Sequence, residues 1–446
     1  MADAPASNDS TTRPGLALGM LAVAFAIGQA TLVNDGTFAP AAFGWLTAGI
    51  VLAVTTLLIG VRVTRFTTRH AELVGFGLTI IQISLLGVFG IVGWMGTSPR
   101  LALVLPCLGV AALGLTLAYV NRKLVGTSVV LIAFLVLGAA TVRAMPLPGI
   151  DVWHFQQQSA QSLLQGENPY TARYKDVYPG STIAYGPGVV VDGYLTYSFP
   201  YPPLSVLMVA PGRLFGDVRW AHVVALGLAG WMLASSLRGR LGAIVATMIL
   251  FQPRVFLLIQ TAWTESLLIL MLVATVSAML RRSTHSWVAT GLMLAVKQYT
   301  VIWLPLLWVW TGWKSTLKAL AVAAIVTLPF LLWGPTSFVR SVAVWQLIQP
   351  FRPDALSYPA LWFAKTNIQP PVILAFIAMA MGLGFGVWKS PRTLGGLLAA
   401  MTVTMLLFVA FNKQAFCNYY ALIAALAAMS GGVLLDDVRM KNREKT

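Results

Sequence analysis

Few side chains in this sequence can do ionic or acid–base chemistry, and their places are informative. Asp151 opens the run Asp151-Val152-Trp153-His154-Phe155-Gln156-Gln157-Gln158, about seven residues beyond an apolar stretch. A carboxylate held there can accept a proton from a substrate hydroxyl. It can equally be a helix N-cap, a position that favours Asp. His154 follows three residues later, on the same face of a helix, either assisting the carboxylate or sitting as an interfacial polar group. Glu265, in Gln260-Thr261-Ala262-Trp263-Thr264-Glu265, is an acid at or inside a membrane boundary. Such a residue is a functional candidate or one that snorkels to the interface. Lys297 lies between two short apolar runs with no charged neighbour in sequence. It can meet a phosphate or pair with Glu265. Arg352, in Phe351-Arg352-Pro353-Asp354, and Lys413, in Phe411-Asn412-Lys413-Gln414, are further cations, Lys413 with an ordinary headgroup contact as its plainer role.

The elements that position these groups are apolar. Of 446 residues, 58% are hydrophobic and 10% charged, against about 25% charged in soluble domains. That excludes an ordinary soluble enzyme, a disordered chain and a secreted disulfide scaffold. The fold class expected is an all-α polytopic membrane protein with about 12–14 transmembrane helices. The formal charge of +16 is read as cytoplasmic loop charge, not as nucleic-acid affinity. Cys107 and Cys417 have no metal-ligand or disulfide spacing, the histidines His70, His154, His222 and His285 are scattered, and no metal site is expected.

Runs of about 20 apolar residues cross a bilayer. The first five are Gly15–Val33, Phe43–Val61, Leu73–Met95, Leu101–Val120 and Gly126–Ala144. Basic clusters at Arg62, Arg65, Arg69 with His70, and at Arg122 with Lys123, fall in alternate loops and place these loops in the cytoplasm. Residues 1–14 are then a disordered cytosolic tail and 436–446 a basic one. Arg281 and Arg282, Lys389 and Arg392, and the tail Arg439, Lys441, Arg443 and Lys445 mark the same side. Both termini are expected in the cytoplasm, with an even number of spans. Arg238 and Arg240 fit simple alternation badly, and Pro253 with Arg254 predicts a broken helix within Leu241–Gln260.

Between spans lies an outer loop, 146–203, that holds seven of the twelve tyrosines and four acids. A loop this long is usually functional or disordered, and its aromatic, Pro/Gly-punctuated composition predicts folding against the membrane surface. Val152 to Gln165 reads as an amphipathic helix, Val152, Phe155 and Leu163 on one side, Gln157, Gln158, Gln161 and Gln165 favouring the other. Gly166 stops it. Pro200, Pro202 and Pro203 suit a helix entry. No Walker loop or Gly-rich phosphate turn is present, which argues against an ATP-driven pump or a nucleotide-sugar enzyme.

The opening Asp, the run Leu163-Leu164-Gln165-Gly166-Glu167-Asn168-Pro169-Tyr170, the Tyr201-Pro202-Pro203-Leu204 entry, the Leu294–Gln298 lysine stretch and the Phe411–Tyr420 loop occur in an order that resembles GT-C superfamily glycosyltransferases, most of all family 87. The resemblance covers roughly Leu131 to Leu435. It implies a GT-C-like core over 126–435, preceded by a four-helix extension over 15–125. It also implies a polyprenyl-phosphate sugar as donor, a glycolipid or glycan acceptor, an extracytoplasmic site in the plasma membrane, and inverting transfer without metal or cofactor. Asp151 matches the family's presumed general base. Lys297, Arg352 and Lys413 become candidates for the donor phosphate. His154 and Glu265 become candidate assistants, and Tyr170, Tyr201, Gln260, Gln298 and Tyr419 candidate contacts to sugar or acceptor. Family members place the Asp after the first span, whereas four further spans precede it here. A secondary transporter and a glycan polymerase or ligase are the alternatives.

Overall fold

A computed structural model describes residues 13–59, 67–91, 102–181 and 183–443. Residues 1–12, Arg62, Arg65 and Lys445, the predicted span ends at 60–61, 92–95 and 101, and the side chains of Lys441 and Arg443 lie outside the described residues.

The first five long helices run α1 (Arg13–Leu32), α2 (Pro40–Ile59), α3 (Thr68–Phe89), α4 (Val104–Tyr119) and α5 (Lys123–Ala144). A shorter helix, α6 (Asp151–Leu164), opens the long loop, where a hairpin pairs Val190–Val191 with Tyr194–Leu195. Then come α7 (Pro203–Leu214), α8 (Arg219–Ser236), α9 (Leu241–Leu250), α10 (Val255–Gln260), α11 (Glu265–Leu280), α12 (Ser286–Leu294), α13 (Leu304–Thr311) and α14 (Trp313–Trp333). Short helices α15 (Pro335–Val339), α16 (Trp345–Ile348) and α17 (Tyr358–Thr366) follow, and α18 (Ile373–Lys389), α19 (Leu394–Ala410) and α20 (Cys417–Arg443) close the chain.

Among the described residues, six helices are long and apolar enough to cross a membrane, namely α1, α2, α3, α5, α14 and α20. The pair α7–α8, bent by 110°, makes a seventh if it counts as one span, and α4, α9, α11, α18 and α19 are shorter apolar helices. The chain is therefore all-α and multi-pass in character. Burial sorts these helices. The apolar window of α20 is 94% buried and that of α14 only 17%. So α20 is a central pillar, flanked by α1 and α19, while α14 turns Ile325 and Leu332 outward. Outward apolar faces on α2, α3, α14 and α18 (Val51, Ile59, Ile81, Phe376, Ile377) are far too extensive for water and suit lipid.

Small residues bring helices together. A Cβ on Gly126 would stand 2.3 Å from the Gly114 carbonyl oxygen and from the Ala118 nitrogen. The antiparallel α4–α5 pair thus touches backbone to backbone, the close approach small residues permit in lipid. Gly126→Leu is expected to force α4 and α5 apart and destabilise the protein by about 1–3 kcal/mol, the usual range for overpacking. Its thermal midpoint in detergent against that of Gly109→Leu is the check, since no atom lies within 4 Å of a Cβ at Gly109.

The charges sort to opposite ends of the bundle. At one end Glu72, fully buried, is held by Arg240 Nε at 2.8 Å and by Arg439. Arg238 faces Asp436 there, and Lys123 Nζ donates to the Leu237 carbonyl. Arg238 and Arg240 therefore share an end with the C-terminal helix, and their poor fit to alternation disappears. The break predicted around Pro253 is present. Helix α9 ends at Leu250, Arg254 adopts φ 66°, and α10 begins at Val255. The Arg254 guanidinium donates to the Gly90 and Leu32 carbonyls, satisfying oxygens that a helix end leaves open.

Candidate active site

At the opposite end, segments that are distant in sequence enclose a cavity of about 370 Å³. That volume is within the about 300–1,000 Å³ usual for small-molecule sites. The loop after α1, the start of α6, Tyr178 and Tyr185 from the long loop, α10, Lys297, the 345–354 segment and the start of α20 all contribute to its wall.

Helix α6 fixes Asp151. Its apolar residues Val152, Trp153 and Phe155 are buried, and so is Gln156, whose amide meets the Ala262 carbonyl and His222. Leu163 is half-buried and Gly166, at φ 77°, ends the helix. The N-cap alternative for Asp151 is corrected here. Ile150, with extended backbone, is the cap residue, and Asp151 is the first helical residue. A capping oxygen bonds the N–H two or three residues on. Asp151 Oδ1 instead accepts from the adjacent Val152 N–H at 2.8 Å. The Tyr178 hydroxyl donates to Oδ1 at 3.3 Å and the Tyr185 hydroxyl to Oδ2 at 3.2 Å. Burial raises the Asp151 carboxyl above the usual carboxylate range, opposed by these hydrogen bonds and by the Arg352 charge. A carboxylate with raised proton affinity is a stronger base.

Lys297 also reaches the cavity. Its Nζ lies 5.1 Å from the Tyr201 ring centroid, 5.5 Å from Tyr299 and 5.7 Å from Tyr419, distances typical of cation–π contact. Behind it, Glu265 Oε1 accepts from Lys297 Nζ at 2.7 Å and from the Tyr299 hydroxyl at 3.0 Å. Glu265 is fully buried. It does not snorkel, and it stands behind the wall as the lysine's counterion. Arg352 faces the cavity too, stacked over Phe416 and held by Asp354 through a bidentate pair at 2.8 and 2.6 Å.

Other candidates lie outside the wall. The His154 ring packs edge-on against Trp153, and burial pushes its pKa down; it does not meet Asp151 oxygens. Lys413 is a clip, its ammonium donating to the Leu347 and Gln349 carbonyls. The Tyr170 hydroxyl is spent on the Tyr201 carbonyl. Gln260 donates to the Met145 sulfur, and Gln298 ties the Pro200 and Val342 carbonyls together. Of the candidates, Asp151, Lys297, Arg352, Tyr201 and Tyr419 meet at the cavity.

Sequence reasoning missed Tyr178 and Tyr185 as the partners of Asp151, and also Asp35, Trp263, Trp345 and the amides of Gln346, Gln349, Gln414 and Asn418. The tyrosine density of the loop was the only signal for the first two. Tyr197 stacks on Trp345 at 3.9 Å and 15°, which stiffens that wall.

Ion pairing sets Asp151 apart. Asp35 pairs with Arg254 at 2.6 Å, Asp354 with Arg352, and Glu265 with Lys297. Among the described residues lining the cavity, Asp151 is the carboxylate with no ion pair, served by neutral hydroxyls instead.

The chain matches no known family model, no curated protein and no solved structure. The site itself therefore carries the functional conclusion.

Proposed function

We propose that this protein is an integral membrane glycosyltransferase. It moves a sugar, mannose or a similar one, from a polyprenyl-phosphate donor to a lipid or glycan acceptor on the extracytoplasmic face. The observation that carries this reading is the half-buried Asp151 carboxylate, without an ion pair, in a cavity whose cations are each paired with another acid.

In the proposed step the acceptor hydroxyl gives its proton to Asp151 as its oxygen attacks the anomeric carbon. The bond from that carbon to the phosphate oxygen breaks on the opposite face, with inversion. Its electron pair leaves with the polyprenyl phosphate. The transition state has oxocarbenium character, as in glycoside chemistry, and a phosphate leaves as an anion without a catalytic acid. Lys297 and Arg352 supply positive charge for it. Their own carboxylate partners hold them in place and keep the cavity from being strongly cationic. Leu347 and Ile348, 75% and 55% exposed, adjoin the cavity-lining Gln346 and Gln349, and offer apolar surface for a prenyl tail. With the basic end in the cytoplasm, the cavity faces outward, and the finer span count on this reading is 12–14. The GT-C likeness rests on the order of the sequence motifs.

The pH dependence follows from the shift at Asp151. The base works when ionised, so transfer falls as pH drops through its pKa. Burial has raised that value, so the acid limb of kcat/KM is expected above the about 3.9 of a free Asp. The Tyr185 hydroxyl opposes the rise. Tyr185→Phe is therefore expected to move the acid limb to still higher pH. A limb that stays in place in this variant contradicts Asp151 as the base. Transfer from labelled polyprenyl-phosphate sugars, followed across pH, is the measurement.

A further inference from the structure

The cavity wall also contains the carboxylate of Asp35, from the four-helix extension that precedes the core. Asp35 lies just beyond α1 in the turn Val33–Gly36. Three residues in succession, Asn34, Asp35 and Gly36, have positive φ at 58°, 56° and 69°. Asn and Asp tolerate this region better than other side chains, yet two in succession are unusual. Backbone held there persists only where its surroundings enforce it, and such places cluster at functional sites.

The surroundings do enforce it. A Cβ on Gly36 would stand 2.4 Å from the Cys417 Cβ, so the turn is pressed against the start of α20. The Asn34 side chain donates to Thr37 Oγ1 and to the Phe38 carbonyl. Thr37 bridges Ala355, and the Phe38 N–H donates to the Asp354 carbonyl. From the other side Arg254, itself at φ 66°, brings Nε to 2.6 Å from Asp35 Oδ1. Arg254 is buried, and its remaining nitrogens are committed to the Gly90 and Leu32 carbonyls.

One oxygen of Asp35 is thus pinned and the residue still lines the cavity. Among the described residues no hydrogen bond reaches either oxygen, so Arg254 holds Oδ1 by charge and Oδ2 is left open. The pinned carboxylate is rigid, and a carboxylate is acceptor-only. Such a group recognises neutral O–H donors and repels anions. Arg254 is occupied on its far side, so this position attracts hydroxyls and not phosphate. The amides of Gln414 and Asn418 lie on the same wall and add neutral hydrogen-bonding capacity.

We propose that Asp35 is a substrate-reading residue, a fixed acceptor that binds sugar hydroxyls in the cavity and sets which sugar fits. The proposal rests on the glycosyltransferase reading for the identity of its ligand. It gives the N-terminal helices a role in specificity, because α1 carries the turn. Asp35 takes no proton in the transfer; Asp151 does.

The test uses the purified full chain in lipid nanodiscs. The probes are n-octyl α-D-mannoside, the octyl glucoside, galactoside and arabinofuranoside, and monodeoxy forms of whichever binds best. Calorimetry reads binding without turnover. Asp35→Asn is expected to weaken the best glycoside about ten- to hundredfold, the scale of a hydrogen bond to an ionised group. It should also erase the wild type's discrimination against one particular deoxy form. In transfer assays its effect falls mainly on KM. Asp35→Glu keeps the charge beside Arg254 and moves the carboxylate by one methylene, so it should alter the order of preference among deoxy forms even if Asp35→Asn fails to fold. Wild-type binding with unchanged affinities and selectivity in a folded variant overturns the role of Asp35 and leaves the transferase reading standing. A wild type that binds none of the glycosides and transfers to none overturns the sugar reading itself.

Discussion

Asp151→Asn is expected to lower transfer by about 10²–10⁴-fold, the range supplied by a general base, while the protein stays folded and membrane-inserted. The substitution keeps the side chain's size and its bond from the Val152 N–H. It removes the oxygen charge to which the acceptor proton would go. The Tyr178 hydroxyl can still donate to the amide oxygen, and the Tyr185 hydroxyl, then facing the amide nitrogen, can accept from it instead. The loss should lie in kcat. Binding of the proposed donor, assigned to Lys297 and Arg352, should change little. Asp151→Glu is expected to recover part of the rate, since the base is restored but displaced. Full activity in Asp151→Asn removes the residue from the mechanism.

The second large effect concerns the Lys297–Glu265 pair. Both side chains are nearly or wholly buried, at 7% and 0% exposure. Removing one partner leaves the other as an uncompensated charge, which costs about 3–5 kcal/mol. Lys297→Met is therefore expected to lower the thermal midpoint sharply, with Glu265 left only the Tyr299 hydroxyl. Replacing both, Lys297→Met with Glu265→Gln, removes the stranded charge and should recover most of the stability. Activity should separate from stability in this pair. The double variant is expected to fold and yet transfer poorly, because the phosphate has lost a cation. A double variant with normal activity would show that Lys297 serves the fold alone.

Much of the helical architecture was legible because it rests on composition and long apolar runs, which do not depend on distant partners. The break at Pro253 was legible for the same reason, since proline removes a helix bond locally. Asp151 stood out as an acid placed just where an apolar run gives way to an amphipathic helix. The rest of the site was not legible because it is made by contacts between distant segments. Tyr178 and Tyr185 sit in a loop without periodicity, and only the folded loop turns their hydroxyls to Asp151. Lys413 reads from its charge as a candidate for the donor phosphate. Its partners are the Leu347 and Gln349 carbonyls, and backbone acceptors leave no mark in a sequence. Asp35 stands in no motif that marks it. Its importance appears only when Arg254, from the far side of a broken helix, pins it to the cavity wall. The unresolved fit of Arg238 and Arg240 had the same origin, since Glu72 and Asp436 complete their charge from other helices.

The central claim is that sugar moves from a lipid phosphate to a hydroxyl acceptor with Asp151 as base. Its most direct test incubates the purified protein in liposomes with labelled polyprenyl-phosphate mannose, glucose or arabinofuranose and a mixed membrane glycolipid acceptor fraction. The expected result is a labelled product enlarged by a single sugar of inverted anomeric configuration, with free polyprenyl phosphate released in equal amount and none of either with Asp151→Asn. Label carried across the liposome membrane with no new glycosidic bond would contradict the account and identify a transporter.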